Sequence, residues 1–306
     1  MVATPPLGRG PSLYLHFPPT PTRPLALRPT RLGILGLGAI GGSLARQAKR
    51  AGVATVIGWS PEPAERVAAV QEGALDDAPH HAREVVAAAE LLVLAAPPAA
   101  NLDLLNRIAS HLPPGALVTD VGSVKRAIVA RAEALGLGAR FAGSHPLAGT
   151  HRRGFEASRA DLFTGATVYI TPTATGDGAA REVAHFWETV CNALPVMMGA
   201  GAHDAQLAVT SHVPQIVGSL LGNFLARHTP VGAGVGPGAL DTARLAASDA
   251  RLWTEILLLN RDEVLPALRA FEEPLGEIER ALESGDAAAL ERWLASAAEW
   301  RRLAGP

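Results

Sequence analysis

Cysteine is nearly absent from the chain. Cys191 is the single one in 306 residues. That excludes an intrachain disulfide and a cysteine-based zinc site, so no metal centre is expected, and it fits a reducing, cytoplasmic setting. Cys191 stands in an apolar stretch before Leu194, the setting of a small buried hydrophobe rather than a nucleophile. Lysine is almost as rare, with only Lys49 and Lys125 among many arginines. A lysine kept where arginine usually serves hints at a need for a compact ammonium. There is no Lys/Arg-rich tract, and the net charge of -2 gives no electrostatic case for nucleic acid or an anionic membrane. No run of roughly 18 apolar residues free of charge or proline exists, so no membrane-spanning helix is expected. No signal-peptide pattern stands at the start.

What the chain does have is apolar content, at 48%, and a length that suits two domains or one large one. Residues 1–30 are broken by repeated prolines, from Pro5 to Pro29, and read as an extended arm. From Arg31 short apolar runs alternate with helical patterns. The runs are 32–35, 53–58, 91–95, 117–119, 140–143 and 167–171. The helices are 43–51, 61–72 and 124–135. Such alternation predicts an α/β doubly wound sheet. After Pro172 strand signals stop, and 179–192, 202–227, 238–247, 250–284 and 286–303 all read as helix. Pro214 and Pro266 should mark kinks or new helix starts. The expected division is an arm (1–30), a dinucleotide-binding domain (31–175) and an all-helical substrate-binding and dimerisation domain (176–306), with the boundary at Pro172, Gly176 and Gly178.

Gly36-Leu37-Gly38-Ala39-Ile40-Gly41 matches G-x-G-x-x-G. Alone the pattern is weak. Here it follows a strand and opens a helix inside a βαβ unit, the context of a Rossmann-type dinucleotide site. Gly36 suits the tight turn, Gly38 the approach of the pyrophosphate, and Gly41 close helix–strand packing. The helix start offers unpaired N–H groups to the anion. A glycine turn that binds nothing is the plain alternative. Ser60 after the second strand, Ala96 and Pro97 after the third, and Asp120 after the fourth complete the expected cofactor edge. The second strand ends in Trp59-Ser60-Pro61-Glu62, with neither an acid at its tip nor an arginine waiting for a 2′-phosphate. Glu62 favours NAD by repelling that phosphate, while NADP stays open.

Three further segments are distinctive: Asp120-Val121-Gly122-Ser123-Val124-Lys125, Gly143-Ser144-His145-Pro146-Leu147-Ala148-Gly149-Thr150, and Arg244 to Asp249 followed by Trp253. The first two follow strands, at the edge where ligands bind in such sheets. In these segments, and in GFEAS, DLFTGATVYITP and TSHVPQ, all in family order over about 31–280, the chain resembles the prephenate/arogenate dehydrogenase family of tyrosine biosynthesis. The resemblance implies oxidative decarboxylation of a cyclohexadienyl substrate, with hydride passing to a nicotinamide. It implies that His145 takes the hydroxyl proton, a task suited to imidazole near neutral pH. Ser123 would bond the same hydroxyl or orient His145, or serve as a helix N-cap. Arg244 would grip the side-chain carboxylate two-pronged, and His212, Thr150, His151, Trp253 and Asp241 would line the substrate side. His212 and Trp253 have core alternatives, and Asp241 could pair with Arg244. Lys125 could face the substrate or cofactor, or be a first-turn surface lysine.

Where many relatives carry a gating acid the chain has His151, followed by Arg152 and Arg153. A cationic entrance that attracts a dianion is expected instead. With no acid marked out to receive an ammonium, prephenate is preferred to arogenate. Two other readings remain. One is a β-hydroxyacid dehydrogenase or imine reductase, relying on Lys125. The other is a nucleotide-binding sensor, needing only the glycine loop. A homodimer is expected, as in the family.

Overall fold

The computed structural model describes residues 29–149, 152–230 and 234–304. Most of the expected arm, and both Thr150 and His151, lie outside the described residues. The chain forms two compact units. The first ends at Gln206 and takes in Ser248–Leu259, and the second holds Leu207–Ala247 and the chain from Asn260 onward.

The first unit is built on β1 (Arg31–Leu35), α1 (Ala39–Arg50), β2 (Thr55–Trp59), α2 (Pro63–Gln71), α3 (Ala82–Ala88), β3 (Leu91–Leu94), α4 (Pro98–Ile108), β4 (Leu117–Asp120) and α5 (Arg126–Ala134). The four strands form a parallel sheet in the order β2-β1-β3-β4. Both faces are covered, which is why the strands read as unbroken apolar runs. Leu32, Ile34, Val56 and Val93 pack with Leu44, Ala45 and Ala48 of α1 on one side. Leu35, Leu92 and Leu94 pack with Val85, Val86 and Leu105 on the other. The chain leaves β1 toward β2 on one flank and returns to β3 on the other. The topological switch point therefore lies between the C-terminal ends of β1 and β3.

A second sheet follows, with β5 (Ala142–Pro146), β6 (Thr167–Pro172), α6 (Asp177–Thr189) and β7 (Leu194–Met197) in the order β5-β6-β7. β5 and β6 are antiparallel, and β6 and β7 parallel. Phe141, just before β5, bridges in parallel to Val118 of β4. β7 corrects the expectation that strands end at Pro172. It is four residues long, contains Pro195 and pairs on one side only, the place where a sheet tolerates proline. Because β7 pairs with β6, this unit runs past residue 175. α3 and α4 were also not anticipated. α4 opens on Pro97-Pro98, which reads as a stop, yet proline is well placed in a first helical turn.

α7 (Ala200–Leu207) leads into a π-helical turn, Ala208–His212, and then α8 (Val213–His228), so the single expected helix 202–227 is interrupted. Pro214 lies in the first turn of α8, as a new helix start requires. α9 (Pro237–Thr242) precedes a 3₁₀ turn, Ala243–Ala247. α10 (Ala250–Leu259) belongs to the first unit, and α11 (Arg261–Ser284) and α12 (Ala287–Leu303) to the second. α11 passes through Pro266 and begins five residues before it, so Asn260 rather than Pro266 marks the break. A Cβ on Gly218 or Gly222 would lie 3.1 Å from Leu245 Cβ or 3.0 Å from Ala246 Cβ, so glycine lets α8 sit close against that 3₁₀ turn.

Candidate active site

The glycine loop runs from the C-terminal end of β1 into α1. Gly36 has φ +103°, open to glycine alone, and a side chain there would meet the Ala95 carbonyl. A Cβ on Gly41 would fall on the Gly36 carbonyl oxygen. A Cβ on Gly38 would meet nothing within 4 Å. The protein itself therefore demands glycine at Gly36 and Gly41, whereas the space over Gly38 is open for a ligand to approach the backbone. Gly38 is the N-cap of α1, makes no side-chain cap, and the first turn holds no acid, so the helix start presents N–H groups and positive potential outward. Leu37 is buried in the core, and Ala39 and Ile40 are part-buried. These features fit a dinucleotide pyrophosphate.

The neighbouring loops are held in place. Buried Asn101 accepts from the Ala96 amide at 3.1 Å and donates to the Leu94 carbonyl at 3.3 Å, fixing the turn through Ala96 and exposed Pro97. Beyond β2, buried Ser60 donates its hydroxyl to Glu65 at 2.5 Å. The Arg66 guanidinium donates to the Ser60 carbonyl. The sequence pointed to Glu62 and saw no arginine here. The first turns of α2 bring Glu65 and Arg66 back to the strand end, while Glu62, exposed, stands at the N-cap position without a side-chain capping bond.

Asp120 and Lys125 form a fully buried ion pair. Lys125 Nζ also donates to the Ser144 carbonyl at 2.7 Å, and the Gly122 amide donates to Asp120 at 2.8 Å. Burial pushes the Asp120 carboxyl up and the Lys125 ammonium down, and the charge of each opposes the other's neutralisation. One alternative is corrected: Lys125 is not a surface lysine. Asp120, expected at the cofactor edge, is buried, with Oδ2 on Lys125 and the Gly122 amide. The pair ties the segment carrying Ser123 to the strand carrying His145. Ser123, part-buried, does not cap α5. That cap is Asp204 of α7, which accepts from the Lys125 and Arg126 amides at 2.8 and 2.9 Å.

His145 lies near the C-terminal end of β5, opposite Tyr169 of β6, and is part-buried. The strand beneath it is anchored by Ser144, whose hydroxyl meets Thr119 Oγ1 at 2.7 Å and receives Trp187 Nε1 at 3.0 Å. His145 Nδ1 lies 2.8 Å from His203 Nε2, and His203 Nδ1 lies 2.8 Å from Asp204 Oδ1. His203 and Asp204 are buried and were not singled out from the sequence. Adjacent on one helix, they carry no spacing signal. Only the fold brings them to His145.

The remaining expected residues divide between the units. Trp253, part-buried, is on α10 of the first. Arg244, Asp241 and His212 belong to the second. Arg244 and Asp241 are exposed and form no ion pair with each other among the described residues. His212 is buried within its unit, with Nδ1 3.1 Å from Asn260 Nδ2. Among the described residues no group of three or more His, Cys, Asp or Glu side chains could hold a metal, and no helix is long and apolar enough to cross a membrane.

Comparison with known proteins bears on the whole chain. Residues 44–194 match the model of the prephenate dehydrogenase nucleotide-binding domain, and 200–296 that of the prephenate dehydrogenase dimerization domain. A prephenate dehydrogenase of Lactococcus lactis is 31% identical, over 85% of this chain and 73% of its own. A cyclohexadienyl dehydrogenase of Zymomonas mobilis is 31% identical, over 83% and 89%. The crystal structure of Aquifex aeolicus prephenate dehydrogenase with hydroxyphenyl propionate and NAD+ superposes with a TM-score of 0.82 at 28% identity, covering 89% of this chain and 98% of that one. With both parts of the chain matched and relatives above 30% identity along most of its length, the protein belongs to the prephenate dehydrogenase family.

Proposed function

We propose that the protein catalyses the NAD-dependent oxidative decarboxylation of prephenate to 4-hydroxyphenylpyruvate, in the cytoplasm and as a homodimer. The observation that carries this reading is the position of His145. Its imidazole stands at the C-terminal end of β5, held through Nδ1, in a unit whose glycine loop leaves open backbone at Gly38. NAD, when bound, supplies a hydride acceptor. Gly36 to Gly41, Ser60, Ala96 and Pro97 would hold it. His145 takes the proton of the ring hydroxyl as the carbinol carbon gains carbonyl character, and Ser123 orients that hydroxyl. Because aromatisation drives the loss of carbon dioxide, the chain's main task is orientation. Arg244 receives the substrate carboxylate, with Asp241, Trp253, Thr150, His151 and His212 as the other proposed substrate-side residues. The unit built on the parallel sheet binds the dinucleotide, and the helical residues beyond it bind substrate and dimerise.

Glu65 supports NAD over NADP. A carboxylate bonded to Ser60 repels a 2′-phosphate at the strand end, and Arg66 is engaged by the Ser60 carbonyl. Exposed apolar side chains on the second unit, among them Leu220, Phe224, Phe271, Leu275 and Leu282, support a dimer that covers them. Steady-state assay of prephenate and arogenate, each with NAD and with NADP, tests the reading. Prephenate with NAD should give the highest kcat/KM. Turnover of neither substrate overturns the reading, and higher kcat/KM with arogenate or with NADP overturns that part of it.

A further inference from the structure

The contact that fixes His145 continues inward through two further side chains whose hydrogen-bond roles are interdependent. Asp204 accepts from the Lys125 amide and from His203 Nδ1 through Oδ1, and from the Arg126 amide through Oδ2. Burial raises its pKa, but the bond from His203 and those two amides outweigh burial and hold it below the ordinary carboxylate value. Asp204 is therefore an acceptor only, and the 2.8 Å contact requires a proton on His203 Nδ1. His203 is itself buried, edge-on to Tyr169 with ring centroids 5.6 Å apart. Burial and the nearby Lys125 charge, in that order, depress its basicity against the pull of Asp204. It stays neutral, so its Nε2 bears a lone pair. At 2.8 Å from that lone pair, His145 Nδ1 must be the donor. A neutral His145 with its proton on Nδ1 has its basic nitrogen at Nε2.

We propose that His203 and Asp204 form a buried relay that holds His145 in the Nδ1–H form and so makes Nε2 the proton acceptor of the reaction. His203 is a positioning residue: it acts through His145. The proton balance is simple. The substrate hydroxyl gives its proton to His145 Nε2. The resulting imidazolium keeps its Nδ1–H bond to His203, whose Nδ1–H bond to Asp204 places a negative charge behind the new positive one. Neither His203 nor Asp204 needs to change protonation. The logic is that of an aspartate orienting the histidine of a serine protease, with one imidazole interposed. A histidine in water prefers the Nε2–H form, which would present a donor instead of a base, so the relay selects against the default.

The inference rests on His145 being the base, as proposed above, and its test separates the two. Nitrogen-15 NMR of the ligand-free protein should show His145 in the Nδ1–H form, and His203→Phe, which keeps a ring but no polar atom, should move it to the Nε2–H form. In turnover, His203→Phe should lower kcat about 100-fold or more with KM changed less than threefold, on the scale of general-base catalysis. His203→Gln offers an amide oxygen to His145 Nδ1 and should recover at least a tenth of the wild-type kcat. Asp204 is not the residue to vary, because it also caps α5. Wild-type His145 in the Nε2–H form overturns the relay. So does His203→Phe with wild-type kcat, or His203→Gln no better than His203→Phe when both fold as judged by melting. A wild-type enzyme that turns over neither substrate, with His145 in the Nδ1–H form, would overturn the activity and leave the tautomer assignment standing.

Discussion

Lys125 illustrates how far one residue can be read. Its rarity as a lysine marked it, but not its role. Sequence spacing put it in a first helical turn, and only the fold shows Nζ enclosed by Asp120 and the Ser144 carbonyl. Removing the ammonium leaves a buried carboxylate without its counter-charge, which costs about 3–5 kcal/mol. Lys125→Met should therefore lower the melting temperature sharply, and Asp120→Asn with Lys125→Met should recover part of the loss. A Lys125→Met protein as stable as wild type but without activity would instead put the lysine in the chemistry, as in the β-hydroxyacid dehydrogenase reading. Cys191 was legible outright. It is buried in the core, and burial raises its thiol well above the ordinary value. It should resist alkylation until the protein unfolds, which a timed reaction with iodoacetamide under native and denaturing conditions checks.

At the scale of elements, the glycine loop was the most legible feature, since strand, turn and helix each carry a local signal. The structure divides its glycines by purpose. Gly41→Ala drives a Cβ onto the Gly36 carbonyl and should destabilise the free protein. Gly38→Ala meets no protein atom and should leave the free protein's melting temperature within about 2 °C, an effect no larger than roughly 0.5 kcal/mol, while weakening NAD binding at least tenfold by calorimetry. Equal destabilisation by both would remove the reason for assigning the space over Gly38 to a ligand. β7 and α3 were not legible because each is short, and β7 contains and α4 opens on proline, so local propensity opposes what tertiary pairing supports. The Asp204 cap was hidden for a different reason. A cap normally stands just before its helix, and this one comes from another helix 78 residues away from Arg126.

The whole molecule was legible as an α/β sheet followed by helices. The second sheet, and the return of α10 to the first unit, were not, because long-range pairing leaves no periodic trace. The second unit exposes several large apolar side chains, and the matched dimerization-domain model covers most of the same residues. Light scattering on the purified protein should give twice the 31.7 kDa chain mass. Phe271→Glu with Leu275→Glu should shift it toward the monomer. A wild-type monomer at micromolar concentration would remove the dimer and leave those side chains unexplained.

The most direct test is to oxidise prephenate with NAD and count both products in wild type and in His145→Asn. One 4-hydroxyphenylpyruvate should form per NADH. His145→Asn should lose kcat by about 10²–10⁴-fold while NAD affinity stays unchanged. A His145→Asn enzyme as fast as wild type, or NADH formed without 4-hydroxyphenylpyruvate, would contradict the assignment.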